Sequence, residues 1–237
     1  MDKNITKARA YFYEFLAYPL FFHTSDEKFA RWREQLSYLA QNPLSEQSAE
    51  AFANLEKFSF KELVNEQNEV LFGFTNIPLS ASFYEEGRDN GAARLRVIHC
   101  LNLSPYRRDK ELCKDSEDYV GFIFLAMATF LNDEFNGAKN ISDKLFIETL
   151  NLFVDEFGSL LLAHKNANFF RSYALILKDF IELERAVLSV EAPAKPQGDS
   201  VAMAALKKEP FQSKMPTIKT KLHWEEFSPV ISHEFKD

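Results

Sequence analysis

Large apolar residues recur at helical spacing in the second half of the chain. Five of them follow one another in steps of four and three: Phe146, Leu150, Phe153, Phe157 and Leu160. This spacing puts all five on one side of an α-helix. A second series of the same kind follows Asn168 and predicts a long last helix with that residue as its N-cap. The chain has 24 Phe and only 7 Gly, which favours helices with large apolar faces over a turn-rich β fold.

The first half of the chain also carries helix signals and no strand pattern. Two capping boxes are visible, one at 24–27 (TSDE) and one at 59–62 (SFKE), and each predicts a helix start. Helices are predicted at 5–18, 24–39, 46–57, 59–74 and 92–101, while 73–91 is predicted to be a long loop because it is rich in Gly, Pro, Asn and Ser. We therefore predict an all-α fold, a single globular, bundle-like helical domain over residues 1–190.

The composition changes at Glu191. The segment EAPAKPQGDS has the character of a linker, and prolines recur at positions 210, 216 and 229. We predict that residues 191–237 form a linker and C-terminal extension, partly disordered, outside the helical domain.

Several function classes lack support in the sequence. The net charge of −7 provides no basic field for nucleic acid. Uncharged stretches are too short to cross a bilayer, the start does not resemble a signal peptide, and we expect a cytoplasmic protein without stable membrane insertion. Phosphate-cradling loops, nucleophile motifs and Glu-x-x-His metal pairs are absent. The pair Arg107-Arg108 lies mid-chain and is interpreted as solvated surface charge. We accordingly expect no enzyme activity, no cofactor and no metal site.

Two segments are more specific than the rest. One is LFGFTNIPLSASFYEEG, Leu71–Gly87, and the other is DSEDYVGFIFLAMATFL, Asp115–Leu131. In the second, an acidic cluster runs directly into thirteen uncharged residues. Two interpretations of this cluster stay open: Asp115 caps a core helix with Asp118 in its first turn, or the carboxylates border a binding site.

With these two segments, the sequence resembles the TorD/DmsD/NarJ-like family of cytoplasmic redox-enzyme maturation chaperones. Family members show a helix ending in Leu-Phe-x-Gly, then closely spaced Pro, Ser and Tyr, and then an acidic Glu-Pro-x-Asp-His turn before an apolar helix. The corresponding residues here are Leu71-Phe72-x-Phe74, Pro78, Ser82, Tyr84 and the turn Asp115-Ser116-Glu117-Asp118-Tyr119. Ser116 stands where the family has proline and Tyr119 where it has histidine. The resemblance covers about residues 5–190.

The resemblance implies a chaperone that binds the twin-arginine signal peptide of a client molybdoenzyme and supports cofactor insertion before export. Formate dehydrogenase, an S- or N-oxide reductase and a nitrate reductase are all compatible clients, and the family leaves a homodimer open. A cationic and then apolar peptide requires carboxylates beside an apolar groove. The residues predicted to bind it are Phe72, Phe74, Pro78, Ser82, Tyr84, Glu85, Asp115, Glu117, Asp118, Tyr119 and Phe122. The alternative is a helical adaptor with an unrelated partner.

Overall fold

A computed structural model describes residues 3–21, 26–73, 76–194 and 198–207. Within these ranges the chain forms helices and a single isolated β-bridge, with no strand. The all-α prediction is confirmed. The α-helices are α1 (Lys3–Ala17), α2 (Glu27–Leu39), α3 (Glu46–Leu55), α4 (Phe60–Val70), α5 (Ala81–Glu86), α6 (Ala92–Asn102), α7 (Val120–Phe135), α8 (Ser142–Leu145), α9 (Asn151–Ala163), α10 (Phe169–Leu188) and α11 (Val201–Leu206).

Two irregular helical pieces complete the order of elements. A 3₁₀ turn, Tyr18–Leu20, follows α1, and a π-helical segment, Phe146–Leu150, joins α8 to α9 without interruption. Among the described residues, no helix combines the length and the apolar character needed to cross a membrane.

The core is built around α1, which packs along α7, and around α10, which packs against α3 and α9. Aromatic rings fill much of it. Phe15 of α1 stacks on Trp32 of α2 with ring centroids 5.2 Å apart, and Phe12 stacks on Phe180 of α10 at 4.8 Å. The many Phe side chains therefore stabilise the packing of the helices, because stacked and edge-on rings bury large areas between them.

A buried ion pair also connects α1 to α10. Arg9 Nε donates to Glu184 Oε1 at 2.6 Å, and Tyr13 Oη donates to Glu184 Oε2 at 2.9 Å. Arg9 is 1% exposed and Glu184 is fully buried. Removing one partner of such a pair leaves an uncompensated buried charge, so these groups fix the two helices relative to each other.

The predicted helix starts have different outcomes. The Ser59 capping box is confirmed, because the Ser59 amide donates to Glu62 at 2.8 Å and the Glu62 amide donates back to Ser59. Asn168 is the N-cap residue of α10, but its side chain does not cap the helix. The box at 24–27 starts outside the described residues, and α2 begins at Glu27 after Asp26.

The prediction of one continuous loop over 73–91 is wrong. Residues Ala81–Glu86 form the short helix α5, which ends at Gly87 with a left-handed backbone, φ 68°. Its inward side chains, Ser82 and Tyr84, are buried. The composition of this segment indicated a loop because the glycine and polar residues that end a short helix also occur in loops.

The described residues up to Leu206 belong to one compact unit. Helix α11 belongs to this unit and packs on α5, with Ala202 buried. The domain end near residue 190 stays a prediction, and the predicted character of residues 208–237 lies outside the described part.

Candidate functional site

The loop before α5 and the acidic turn before α7 are hydrogen-bonded neighbours. Their backbones form the isolated antiparallel bridge between Ser80 and Tyr119. The amide of Ala81 donates to the Asp118 carbonyl, and the amide of Val120 donates to the Leu79 carbonyl, both at 2.8 Å. The two segments that the sequence singled out thus lie side by side, although some forty residues separate them along the chain.

Asp118 joins the two segments through its side chain. Ser80 of the loop and Ser82 of α5 donate hydroxyl hydrogen bonds to Asp118 Oδ2 at 2.7 and 2.5 Å, and Ser116 donates to Oδ1. Asp118 is fully buried. Burial alone would raise its pKa, but the three hydroxyl donors outweigh burial and lower the pKa of this carboxyl. The carboxylate therefore stays ionised inside the protein and holds both segments together.

The capping interpretation of Asp115 is wrong. Helix α7 begins at Val120, its N-cap residue is Tyr119, and no side chain caps it there. Asp115 is exposed and lies several residues before the helix. The acidic cluster misled the prediction because it forms a turn that precedes the helix, rather than the first turn of the helix itself.

Glu117 is engaged by two arginines of the same chain. Arg94 of α6 donates Nε to Glu117 Oε2 at 2.6 Å, and Arg108 donates Nε to Oε1 at 2.9 Å. Arg108 also donates to the backbone carbonyls of Cys113 and Asp115. Burial opposes ionisation, but both guanidinium groups together lower the pKa of Glu117 to about 2. The sequence interpretation of Arg108 as solvated surface charge is wrong, because its side chain is only 10% exposed.

Tyr84 of α5 holds the loop before this helix at Pro78. Its hydroxyl donates to the carbonyl of Pro78 at 2.8 Å, and its ring stacks on Phe153 of α9 with centroids 5.4 Å apart. Pro78 and Tyr84 are buried. Burial raises the pKa of Tyr84 well above its usual value. These predicted site residues therefore pack inside the domain and stabilise the conformation of the loop before α5.

Tyr119, at the position where the resemblance implies histidine, points to the chain after α1. Its hydroxyl donates to the Leu20 carbonyl, and its ring lies 5.3 Å from that of Phe21. Gln67 of α4 donates to the neighbouring carbonyls of Pro19 and Phe21 at 2.7 and 2.9 Å. The 3₁₀ turn is thus attached by side chains from two directions, and Tyr119 is 93% buried by this packing.

The remaining predicted site residues lie nearer to the surface. Phe72 is 44% exposed and Asp115 is exposed. Phe122 and Glu85 are half-buried, and Glu85 forms an ion pair with Arg96 of α6. Phe74 lies outside the described residues. The structure therefore divides the predicted set into a buried framework and a smaller group that solvent reaches.

Four framework residues were missed from the sequence: Ser80, Gln67, Arg94 and Arg108. No local pattern marks the first three, because their partners lie at least 23 residues away in the sequence. The partners of Arg108 lie only five to nine residues away, but no standard motif identifies them. In the described ranges, no group of three or more His, Cys, Asp or Glu side chains is arranged to hold a metal ion. Cys100 and Cys113 are free thiols, and burial raises the pKa of Cys100 to about 11.

An all-α domain that carries both of these segments agrees with the fold class implied by the resemblance to redox-enzyme maturation chaperones. A family model described as nitrate reductase delta subunit matches residues 29–160, which is more than half of the chain and includes both segments. The chain belongs to this family. No curated protein matches the chain significantly.

Proposed function

We propose that this protein is a maturation chaperone that binds the twin-arginine signal peptide of a client molybdenum redox enzyme. It acts in the cytoplasm, supports cofactor insertion and releases the client for export. Its role is binding rather than catalysis. Membership of the nitrate reductase delta subunit family supports a redox-enzyme client, and the client is a nitrate reductase, a formate dehydrogenase or an S- or N-oxide reductase.

The observation that carries the proposal is the attachment of the loop to the turn through Asp118. Three hydroxyl donors and two backbone hydrogen bonds hold these segments in one arrangement. A preorganised surface binds a flexible peptide at lower entropic cost than a mobile one. Asp118 thus contributes to peptide binding by positioning its neighbours. The exposed Phe72 and Asp115 and the half-buried Phe122 contact the peptide.

The chemistry of the turn suits arginine. Glu117 already accepts hydrogen bonds from two guanidinium groups, and the carbonyl of Asp115 accepts one from Arg108 at 2.7 Å. Asp115 presents a carboxylate to solvent beside this cluster. A charge-assisted hydrogen bond from a client arginine to Asp115, with Phe72 and Phe122 contacting the apolar segment that follows, fits a basic and then apolar peptide.

Isothermal titration calorimetry tests the proposal. Synthetic signal peptides of the molybdoenzymes encoded in the source genome are titrated into the full chain, each with Arg-Arg and Lys-Lys versions. We expect at least one Arg-Arg peptide to bind and its Lys-Lys version to bind about tenfold more weakly, because lysine lacks the planar guanidinium fork. If none of the peptides binds, the proposal is wrong.

Variants of surface residues distinguish a specific contact with the signal peptide from general electrostatic attraction. Asp115→Asn and Phe72→Ala should each lower the affinity for the signal peptide that binds by about tenfold, which corresponds to about 1.4 kcal/mol. Glu111→Gln is the matched control, since Glu111 is a 90% exposed carboxylate in the same loop. Equal losses in Asp115→Asn and Glu111→Gln would indicate only nonspecific attraction to an acidic surface.

A further inference from the structure

The guanidinium group of Arg108 lies in a site that the chain itself builds on the acidic turn. Its Nε donates to Glu117 Oε1 at 2.9 Å, and one terminal nitrogen donates to the carbonyls of Cys113 and Asp115 at 2.9 and 2.7 Å. Glu117 is 7% exposed, and the Arg108 side chain is 10% exposed. One carboxylate oxygen and two carbonyl oxygens thus form a receptor for a single guanidinium group.

The second carboxylate oxygen of Glu117 is bound by an arginine from a regular helix. Arg94 of α6 donates its Nε to Glu117 Oε2 at 2.6 Å. This ion pair does not involve Oε1, so it persists whatever group lies at Oε1. Because a buried charge without any partner is strongly destabilising, the ion pair with Arg94 lowers the cost of exchanging the group at Oε1.

The segment that carries Arg108 lies outside any helix. Residues 103–116 follow α6 in turns and bends, and most of their side chains are exposed. The amides of Tyr106, Glu111 and Leu112 donate to side chains of the same segment, and Leu112 is 87% exposed. Segments with exposed side chains and local hydrogen bonds open at lower free energy than packed helices. Arg108 therefore belongs to the part of this site that opens most easily.

Arg108 is the second of two consecutive arginines, and such a pair is also the defining feature of the peptide in the proposed function. Arg107 is exposed and donates to the carbonyls of Ser104 and Tyr106 at 3.1 and 2.6 Å, whereas Arg108 binds the carboxylate. A client arginine in place of Arg108 would restore the same hydrogen bonds and the same charge at Glu117. The exchange is therefore nearly balanced in free energy.

We infer that Arg108 is a built-in competitor of the client, because it occupies at Glu117 the position that one arginine of the signal peptide takes on binding. This role rests on the proposed function, in which the other arginine of the peptide bonds to Asp115. A competitor on the same chain acts at an effective concentration of about 1 mM. The apparent affinity for the peptide scales with the fraction of molecules in which Arg108 has left Glu117. Arg108 thus keeps client binding reversible and pairs with Glu117 when no client is bound.

Isothermal titration of an Arg108 variant with the Arg-Arg peptide that binds the full chain tests the inference. Arg108→Ala should bind this peptide at least about tenfold more tightly than the wild type, because Arg108 then no longer occupies the site in most molecules. Arg107→Ala is the matched control, since it removes the same charge from the adjacent exposed position, and its affinity should stay within about twofold of the wild type. Equal gains in the two variants, or no gain in Arg108→Ala, would overturn the inference.

Arginine NMR signals follow the exchange in the unsubstituted full chain. The Nε–Hε groups of Arg108 and Arg94 each report a hydrogen bond to Glu117. When the peptide is added, the Arg108 signal should move to the position of a solvent-exposed arginine, while the Arg94 signal should keep its hydrogen-bonded position. A bound peptide with an unchanged Arg108 signal would show that Arg108 stays in place and that the inference is wrong.

Chemical rescue tests the exchangeable site without any peptide. In Arg108→Gly, N-ethylguanidinium at about 10 mM should raise the melting temperature, whereas ethylammonium at the same concentration should not, because only guanidinium has the planar fork of donors. The effect should disappear in the double variant Arg108→Gly/Glu117→Gln. A folded Arg108→Gly protein that N-ethylguanidinium does not stabilise would overturn the inference.

The peptide and rescue experiments together distinguish this inference from the proposed function. If signal peptides bind but Arg108→Ala gives no gain in affinity, Arg108 is not a competitor and the proposed function stands. If N-ethylguanidinium stabilises Arg108→Gly but no signal peptide binds, the guanidinium site stands. In that case the proposed function is wrong, and with it the role of Arg108 as a competitor of the client.

Discussion

Ser82 donates a 2.5 Å hydrogen bond to Asp118, and both side chains are fully buried although 36 residues separate them. This contact lies between the short helix α5 and the turn before α7. Around it, Ser80 and Ser116 complete the set of hydroxyl donors. A carboxylate with this many donors acts as a structural centre, and its neighbours depend on it for their positions.

Asp118→Ala should lower the free energy of unfolding by about 3 kcal/mol, because it leaves buried hydroxyl groups without their acceptor. Asp118→Asn keeps one oxygen acceptor and should cost less. Urea denaturation measures both, with Asp115→Ala, at an exposed position, as the control that changes stability by less than about 0.5 kcal/mol. A stable Asp118→Ala protein with impaired peptide affinity would instead place Asp118 in direct contact with the client.

Glu117 predicts a dependence of stability on pH. Its pKa of about 2 in the folded protein lies below the usual 4.5, so its ion pairs stabilise the fold fully above about pH 5. That contribution, up to about 3 kcal/mol, is lost as the pH falls toward 2. The difference in unfolding free energy between the wild type and Glu117→Gln should therefore shrink from about pH 6 to about pH 3.

Denaturant titrations at several pH values measure this difference. Glu111→Gln removes an exposed carboxylate and should stay within about 0.5 kcal/mol of the wild type. A constant difference between wild type and Glu117→Gln across the acidic range would contradict the assignment of the ion pairs as the cause.

The sequence predicted those parts of the fold that depend on nearby residues. The Ser59 capping box and the apolar series before α10 are local patterns that recur in the structure, although Phe146 and Leu150 of that series lie in the π-helical segment rather than in an α-helix. Exposure was harder to predict, since Asp115 and Asp118 look alike in an acidic cluster, whereas one is exposed and the other is fully buried. What distinguishes them is the set of three serine donors to Asp118, two of which belong to a segment far away in the sequence.

The residue that caps α10 could not be predicted from the local sequence either. Asn168 has the right residue type and position for an N-cap, but Glu66 of α4 accepts the first amides of the helix instead. Glu66 lies 103 residues before Phe169. No pattern within a helix can identify a partner at that distance, because only the packing of α4 against α10 brings the carboxylate there.

Glu66 therefore has a testable structural role. It accepts the amides of Asn168, Phe169 and Phe170 at 2.8, 2.9 and 2.8 Å and is 7% exposed. Glu66→Ala should lower the unfolding free energy by about 2–3 kcal/mol, because it leaves amides at a helix N-terminus unsatisfied. Glu66→Gln should fall between this variant and the wild type.

The control for Glu66 is Glu69→Ala, an exposed position on the same helix, which should change the unfolding free energy by less than about 0.5 kcal/mol. Thermal and urea denaturation measure all three variants. Equal stability of Glu66→Ala and Glu69→Ala would show that solvent replaces the cap.

Variants of Tyr119 test whether this side chain supports the fold or contacts the peptide, at the position where the resemblance implies histidine. Tyr119→Phe removes the hydroxyl that donates to Leu20 and should cost about 1–2 kcal/mol in unfolding free energy. Tyr119→His should cost more, since the shorter ring loses both this hydrogen bond and part of the contact with Phe21. Tyr106→Phe is the control, because that hydroxyl reaches Asp133 at an exposed site.

Signal-peptide affinity completes the Tyr119 experiment. The hydroxyl points into the domain, so Tyr119→Phe should keep the affinity within about twofold of the wild type even though the fold is less stable. A loss of affinity with unchanged stability would mean that the hydroxyl reaches the peptide. In that case Tyr119 would be a contact residue as well as part of the framework, and the 3₁₀ turn after α1 would have to move when the client binds.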